Sequence, residues 1–302
     1  MAVAKNYGTG SDGQNYTPNY YSEYDMIGKV ALEIIKEVET KNPLSIFEQY
    51  NVENGDTIEK AVVKLVQSRA YDPTGASALT PNRTPKFEVR YFKDWDREVY
   101  ETTVDKAEIR KSLLVGRDVS DTTNKIVNAL AKSDTYEKFG YLKGLLRYGV
   151  SSTTFTKVGS TIDLSQADGY KDMLKAIKNT IKAFTYVSSS WNKGGIDNAS
   201  LLDDIYIVMP YNLKNALDVD ELAGVFNLEK AEISKRIIET DDTTNPYVYI
   251  VDKNAIIVAK RLFDMENQKN ADSLTWNYFL HVERMYALCD IFNSAYIEYS
   301  NL

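Results

Sequence analysis

The sequence is poor in the residues that most often carry chemistry. Its 302 residues include one histidine, His281, and one cysteine, Cys289. A lone cysteine excludes an intrachain disulfide and fits a reducing compartment. A lone histidine excludes a three-histidine or paired-histidine metal site within one chain. His281 and Cys289 could form a dyad only if folding joined them, and both lie in an apolar pattern that favours buried structural roles. No Ser-His-Asp set and no G-x-x-x-x-G-K-[ST] phosphate loop is found. No apolar run approaches the roughly 20 residues that span a bilayer. Met1–Lys5 lacks the apolar segment of a secretory signal, so the glycosylation-like tripeptides at Asn15, Asn82 and Asn198 carry no weight. Basic charge is also short: 36 Lys and Arg against 43 Asp and Glu give a net charge of −7. That argues against an affinity built on neutralising phosphates.

Two remaining signals are weak. Gly8-Thr-Gly-Ser-Asp-Gly13 matches G-x-G-x-x-G by letter, but no strand precedes it and no helix follows. The pairs Asp203-Asp204 and Asp241-Asp242 read as loop or cap positions rather than cation ligands. No catalytic residue, no cofactor and no metal is therefore expected.

What the sequence has is ordinary globular bulk, 43% hydrophobic and 26% charged, and an excess of tyrosine, 22 against 10 phenylalanines. Tyrosine pairs a flat apolar area with a hydroxyl and suits surfaces that become buried on association. Coding bias in an AT-rich genome would give the same count, and the sequence leaves both explanations open. Residues 6–25 contain five tyrosines (Tyr7, Tyr16, Tyr20, Tyr21, Tyr24) and no aliphatic side chain except Pro18. Such a segment cannot bury enough apolar area to fold alone, yet it could order against a neighbour with its tyrosines as anchors.

Ile27, Val30, Ile34 and Val38 predict a helix over Met26–Thr40, stopped by Asn42-Pro43. Gly55–Tyr71 and Lys86–Glu101 read as two extended segments around a turn-rich stretch, Asp72–Pro85. In the second, Phe87, Val89 and Tyr91 share one face and Glu88 and Arg90 the other. A hairpin this long is marginal by itself and needs something to lie on. Asp105 and Glu108 suggest a capping box opening a helix to Leu114. Further helices are predicted over Ser120–Lys132 and over Asp134–Tyr148, the latter stopped at Gly149. Gln166–Val187 is the clearest helix, with Tyr170, Met173, Leu174, Ile177, Ile181 and Phe184 on one stripe, a rod of roughly 30 Å. Ser188–Ser200 reads as a linker. Ile205–Met209 and Tyr247–Val251 read as buried strands, and Asp218 as the cap of a helix. Trp276, Tyr278, Leu280 and Val282 alternate as in a strand, and the alternation slips near Glu283–Arg284.

The order of the C-terminal segments adds a resemblance. Asp204–Pro210, Ala216–Asn227, Tyr247–Lys253, Asp264–Asn270 and Leu274–Val282 resemble, in succession, the C-terminal half of the major capsid proteins of small, short-tailed, phi-twenty-nine-like phages. Weaker echoes lie at Lys41–Leu44 and Gly55–Glu59. Those proteins have the α+β Hong Kong 97-type capsid fold: an N-terminal arm, an extended hairpin loop, a peripheral domain with a long spine helix, and an axial domain. The resemblance implies an arm at 1–25, a lead-in helix at 26–54 and an extended hairpin at 55–104. It further implies a peripheral domain at 105–204, an axial domain at 205–274 and a peripheral return strand at 275–302. It places the spine in a helix such as Gln166–Val187. Some relatives carry an extra immunoglobulin-like domain, whereas this sequence stops at Leu302. Some shells of this fold are cross-linked through a Lys and an Asn; neither aligns here, and no autocatalysis is expected.

The function implied is that of a non-enzymatic subunit that assembles, as pentamers and hexamers, into an icosahedral or prolate shell around double-stranded DNA. An acidic wall would enclose DNA without gripping it. A separate scaffolding protein and a portal are the implied partners, no membrane is involved, and assembly would occur in the host bacterial cytoplasm. Candidate contacts between subunits are Tyr7, Tyr16, Tyr20, Tyr21, Tyr24, Asp72, Pro73, Phe87, Tyr91 and Trp95. The alternatives are a cargo-enclosing compartment shell of the same fold, or a nucleotide-dependent enzyme resting on Gly8–Gly13.

Overall fold

A computed structural model describes residues 42–53, 56–66, 68, 70–71, 73–74, 87–105, 119–217, 236–273 and 275–301. The tyrosine-rich segment, the Gly8–Gly13 match, the helices read at 26–40 and 105–114, and the helix capped by Asp218 lie outside the described residues. The chain divides into two units, each built from non-contiguous segments. The first draws on Arg97–Lys138 and Leu262–Glu283, the second on Asn42–Asp96, Phe139–Arg261 and Arg284–Leu302.

The second unit is organised by one sheet. Its strands are β5 (Thr156–Lys157), β6 (Ile162–Asp163), β7 (Ile205–Pro210), β8 (Ile237–Thr240), β9 (Tyr247–Asp252) and β12 (Ser294–Ser300). The order is β5-β12-β9-β7-β8, with β6 also on β12. β9 pairs antiparallel with both β7 and β12, while β7 and β8 run parallel. Residues alternate between two covered faces, which is why these strands read as continuous apolar runs. Ile205, Ile207, Met209, Val248, Ile250, Ala295 and Ile297 face helix α2 (Gly169–Phe184) through its Met173, Ile177, Ile181 and Phe184. Val208, Tyr249, Val251 and Ile238 face Leu44, Phe47, Leu142, Leu146 and Phe155. Both strands read from the sequence are therefore present. The short helix Tyr211–Ala216 that follows β7 (α3) was not foreseen.

Helix α1 (Val119–Ser151) corrects the sequence reading. The predicted break between Lys132 and Asp134 is absent. Ser133 Oγ and Thr135 Oγ1 return to the carbonyls of Ala129 and Ala131 at 2.9 and 3.0 Å, so these break-prone residues are satisfied inside the helix. The helix also runs through Gly149. It closes two residues beyond Ser151, where Thr153 takes a φ of 57° and its N–H donates to the Val150 carbonyl. The longest rod is thus α1, about 50 Å at ~1.5 Å per residue, and not 166–187. Helix α2, at 16 residues, is shorter than predicted.

The stretch 188–200 is no linker. Asn192 is buried and bonds the Ile196 backbone twice, Nδ2 to the carbonyl at 2.7 Å and Oδ1 from the N–H at 2.8 Å. Its Ser and Gly content serves a packed loop whose polar groups are matched internally. The segment read as one extended arm over 86–101 is two strands in different sheets, β3 (Phe87–Phe92) and β4 (Asp96–Val104). The chain leaves the first at Lys93–Trp95, where the Arg261 guanidinium lies 4.8 Å over the Trp95 ring.

In the first unit β4 pairs with β11 (Trp276–Leu288), whose other neighbour is β10 (Ile256–Lys269). Leu130, Leu280 and Val282 form its core, with Tyr100 and Tyr278 against them. The slip in alternation is real and occurs inside β11, where Arg284 and Met285 are consecutive buried residues. In the second unit β1 (Glu48–Asn51) runs parallel to the start of β10. Among the described residues no helix is long and apolar enough to cross a membrane.

Candidate assembly surface

Strand β2 (Ile58–Val63) pairs antiparallel with β3, Ile58 opposite Phe92 and Val63 opposite Phe87. This hairpin forms a sheet of two strands only, so each of its faces must find cover elsewhere.

The inner face finds it in the same unit. Ile58 is buried, and Val62 and Phe92 join Ile196, Ile257, Met285, Cys289 and Ile291 in one core. Charged residues complete this face. Lys60 Nζ donates to Asn254 Oδ1 at 2.9 Å, beside the rings of Tyr50 and Phe292. Arg90 donates through Nε and Nη2 to both carboxylate oxygens of Asp290, at 2.7 and 3.1 Å. The Asp290 bond raises the guanidinium's already high pKa, against the opposing effect of burial. Hydrogen bonds from Lys64 and Arg90 hold the Glu88 carboxyl below its ordinary range.

The outer face is left open. It carries Ala61 and Val63 from one strand and Phe87, Val89 and Tyr91 from the other. Val63 is 54% exposed, and Phe87 and Tyr91 are each 62% exposed. Leu65, Val66 and Tyr71 continue the exposed apolar series beyond the strand. Solvated apolar side chains gathered on one face make it the candidate contact surface.

The predicted contact residues separate accordingly. Phe87 and Tyr91 stand together on the open face, as their alternation indicated, and Pro73 is exposed in a turn. Trp95 is turned onto its own unit, under Arg261 and against the core that holds Ile196, Ile257, Met285, Cys289 and Ile291. Asp72 and the five N-terminal tyrosines lie outside the described residues. Val63, Leu65, Val66 and Tyr71 are also exposed and were not singled out from the sequence. Their signal was the run Ala61–Val66, too apolar on both sides for a strand with one covered face.

The tyrosines divide between two uses. Tyr249 and Tyr299 are core residues whose hydroxyls burial pushes up to about 12; Tyr249 accepts from Asn245 Nδ2, and Tyr299 donates to the Asn245 carbonyl. Tyr71, Tyr91, Tyr136, Tyr148 and Tyr186 are exposed.

The His–Cys dyad does not form. Eight residues of extended chain separate His281 from Cys289, roughly 26 Å at ~3.3 Å per residue. His281 stacks on Phe279. Cys289 is fully buried, and burial raises its thiol to about 11, the opposite of what a nucleophile needs.

Comparison with known proteins agrees over nearly the whole length. The family described as Phi29-like phage major capsid protein matches residues 2–298. The major capsid protein of Bacillus phage GA-1 is 28% identical over 267 residues, covering 86% of this chain and 56% of that protein. That of Streptococcus phage Cp-1 is 26% identical over 302 residues, covering 92% and 81%. The chain thus spans little more than half the length of the GA-1 protein. A chain in the capsid structure of Staphylococcus phage Andhra superposes with a TM-score of 0.68 at 14% identity, covering 88% of both chains.

Proposed function

The chain belongs to the Phi29-like phage major capsid protein family and has the Hong Kong 97-type capsid fold, and from that premise we propose that it is the self-assembling, non-enzymatic subunit of a phage head. The observation that carries this reading is the hairpin, fixed to its own unit by one face and apolar and open on the other. A neighbouring copy covers the open face. The contact is modest taken singly, but repetition around a closed shell multiplies it. Helix α1 is the spine, Phe87 and Tyr91 lie in the contact between subunits, and residues 1–25 act as an arm. The shell encloses double-stranded DNA with a wall whose net charge of −7 opposes adhesion. A scaffolding protein and a portal complete the assembly, which proceeds in the host cytoplasm.

Sedimentation and negative-stain microscopy of the purified chain, alone and with its scaffolding protein, test this. Rings, sheets or shells are expected. A particle that stays small under both conditions defeats the reading. Shells isolated from cells with protein cargo in place of DNA would move the chain to a compartment role.

A further inference from the structure

The inner face of the hairpin has an arrangement that packing alone does not call for. Lys60 and Arg90 are directly opposed across β2 and β3, and opposed like charges destabilise a strand pair. Each is held by a different anchor. The anchor of Lys60, Asn254, lies in the short turn between β9 and β10, where its N–H and Nδ2 donate to Asp252 Oδ1 at 2.8 and 3.1 Å. The anchor of Arg90, Asp290, lies in the turn between β11 and β12, where its carbonyl accepts the Gly194 N–H at 2.8 Å. Both anchors are therefore themselves fixed. A hairpin held at one point can swing within its own plane; one held at two separate points on the same rung cannot.

We propose that Lys60 and Arg90 form a two-point clasp that sets the direction in which the hairpin offers its apolar face to a neighbouring subunit. The proposal rests on the reading of this chain as a shell subunit. The two residues lie on the inner face, opposite the open apolar one, so they position the contact without belonging to it. The repulsion between Lys60 and Arg90 is offset by Asp290 and by Glu88, whose carboxylate accepts from Arg90 Nη1 at 3.3 Å.

The test reads geometry and assembly separately. For the distance measurement, spin labels are placed on the full chain at Val63→Cys, on the hairpin, and at Tyr186→Cys, on the body of the same unit, while shell formation is read on unlabelled chains because Val63 lies on the open face; Cys289 is buried and stays unlabelled. The distance distribution of the otherwise unaltered chain is expected to be narrow. Asp290→Ala is expected to widen it by about twofold. The swapped pair Arg90→Asp with Asp290→Arg is expected to narrow it again and to restore closed shells that Asp290→Ala alone does not form. If Asp290→Ala fails to fold by circular dichroism, Asp290→Asn and Lys60→Gln carry the same measurement. An unchanged width in the folded variants overturns the clasp. A widened distribution with shells of unchanged size and yield overturns its positioning role. If the unaltered chain never assembles, the shell reading fails and the width alone decides the clasp.

Discussion

The ring of Phe155 occupies the space in which a side chain at position 149 would stand. A Cβ built on Gly149 meets Phe155 Cε2 at 2.6 Å, whereas at Gly140 and Gly144, on the same helix, it meets nothing within 4 Å. Glycine inside a helix costs about 1 kcal/mol relative to alanine, so the three positions answer alanine differently. Gly140→Ala and Gly144→Ala are expected to stabilise the fold by about 0.5–1 kcal/mol. Gly149→Ala is expected to destabilise it by about 1–3 kcal/mol, because a buried aromatic must move. Thermal unfolding of the three variants checks the order; a stabilised Gly149→Ala would mean that Phe155 relocates freely.

The hairpin predicts a split between folding and assembly. Phe87→Ser and Tyr91→Ser alter exposed side chains and should change stability by no more than about 0.5 kcal/mol. Both should suppress shell formation in microscopy. Phe92→Ser, one residue further along the same strand, faces the core and should cost about 2–4 kcal/mol. Equal effects of Tyr91→Ser and Phe92→Ser on the melting temperature would contradict the assigned faces.

The buried thiol gives a chemical test. With Cys289 at about 11 and no exposure, iodoacetamide at pH 8 should leave the folded chain unmodified for hours and label it rapidly in denaturant. Mass spectrometry reads the difference. Fast labelling of the native protein would show that the core under the hairpin opens.

Acid should loosen the seam that joins β12 to β6. Hydrogen bonds from Asn301, Ser165 and Gln166 hold the Asp163 carboxyl well below its ordinary 3.8. The Lys157 ion pair holds Glu298 below 4.5. Both carboxyls have lower pKa values folded than unfolded, so their contribution is present above pH ~4.5 and is lost as pH falls through the folded values. Melting temperature should therefore fall below pH ~4.5, by less at high salt because the groups are exposed. In Asp163→Asn with Glu298→Gln that part of the slope should flatten.

Legibility in the sequence followed the physics of each element. Strands β7 and β9 were readable because a sheet covered on both faces demands unbroken apolar runs, and Ile205–Met209 and Tyr247–Val251 are such runs. Helix α1 was not readable as one helix, because a Ser or Thr that turns back to a carbonyl one turn earlier looks in sequence like one that caps. Gly149 looked like a stop because glycine most often ends a helix; its partner Phe155 becomes visible only once the chain has turned back. The alternation of Phe87 and Tyr91 was legible, but which face met solvent depended on Asn254 and Asp290, some 200 positions away. The exposed half of β10, with Asp264, Glu266 and Lys269 on it, lacks the apolar rhythm that announces a strand.

The position of β12 bears on timing during synthesis. Residues 294–300 lie inside the main sheet, between β9 on one side and β5 and β6 on the other. Until that strand has left the ribosome, β9 has an open edge and both apolar faces lack Ala295, Ile297 and Tyr296. A nascent chain then has no finished body on which to seat its hairpin. Sheet closure by such distant segments is slow, so the sheet is completed only after residues 294–300 have been made.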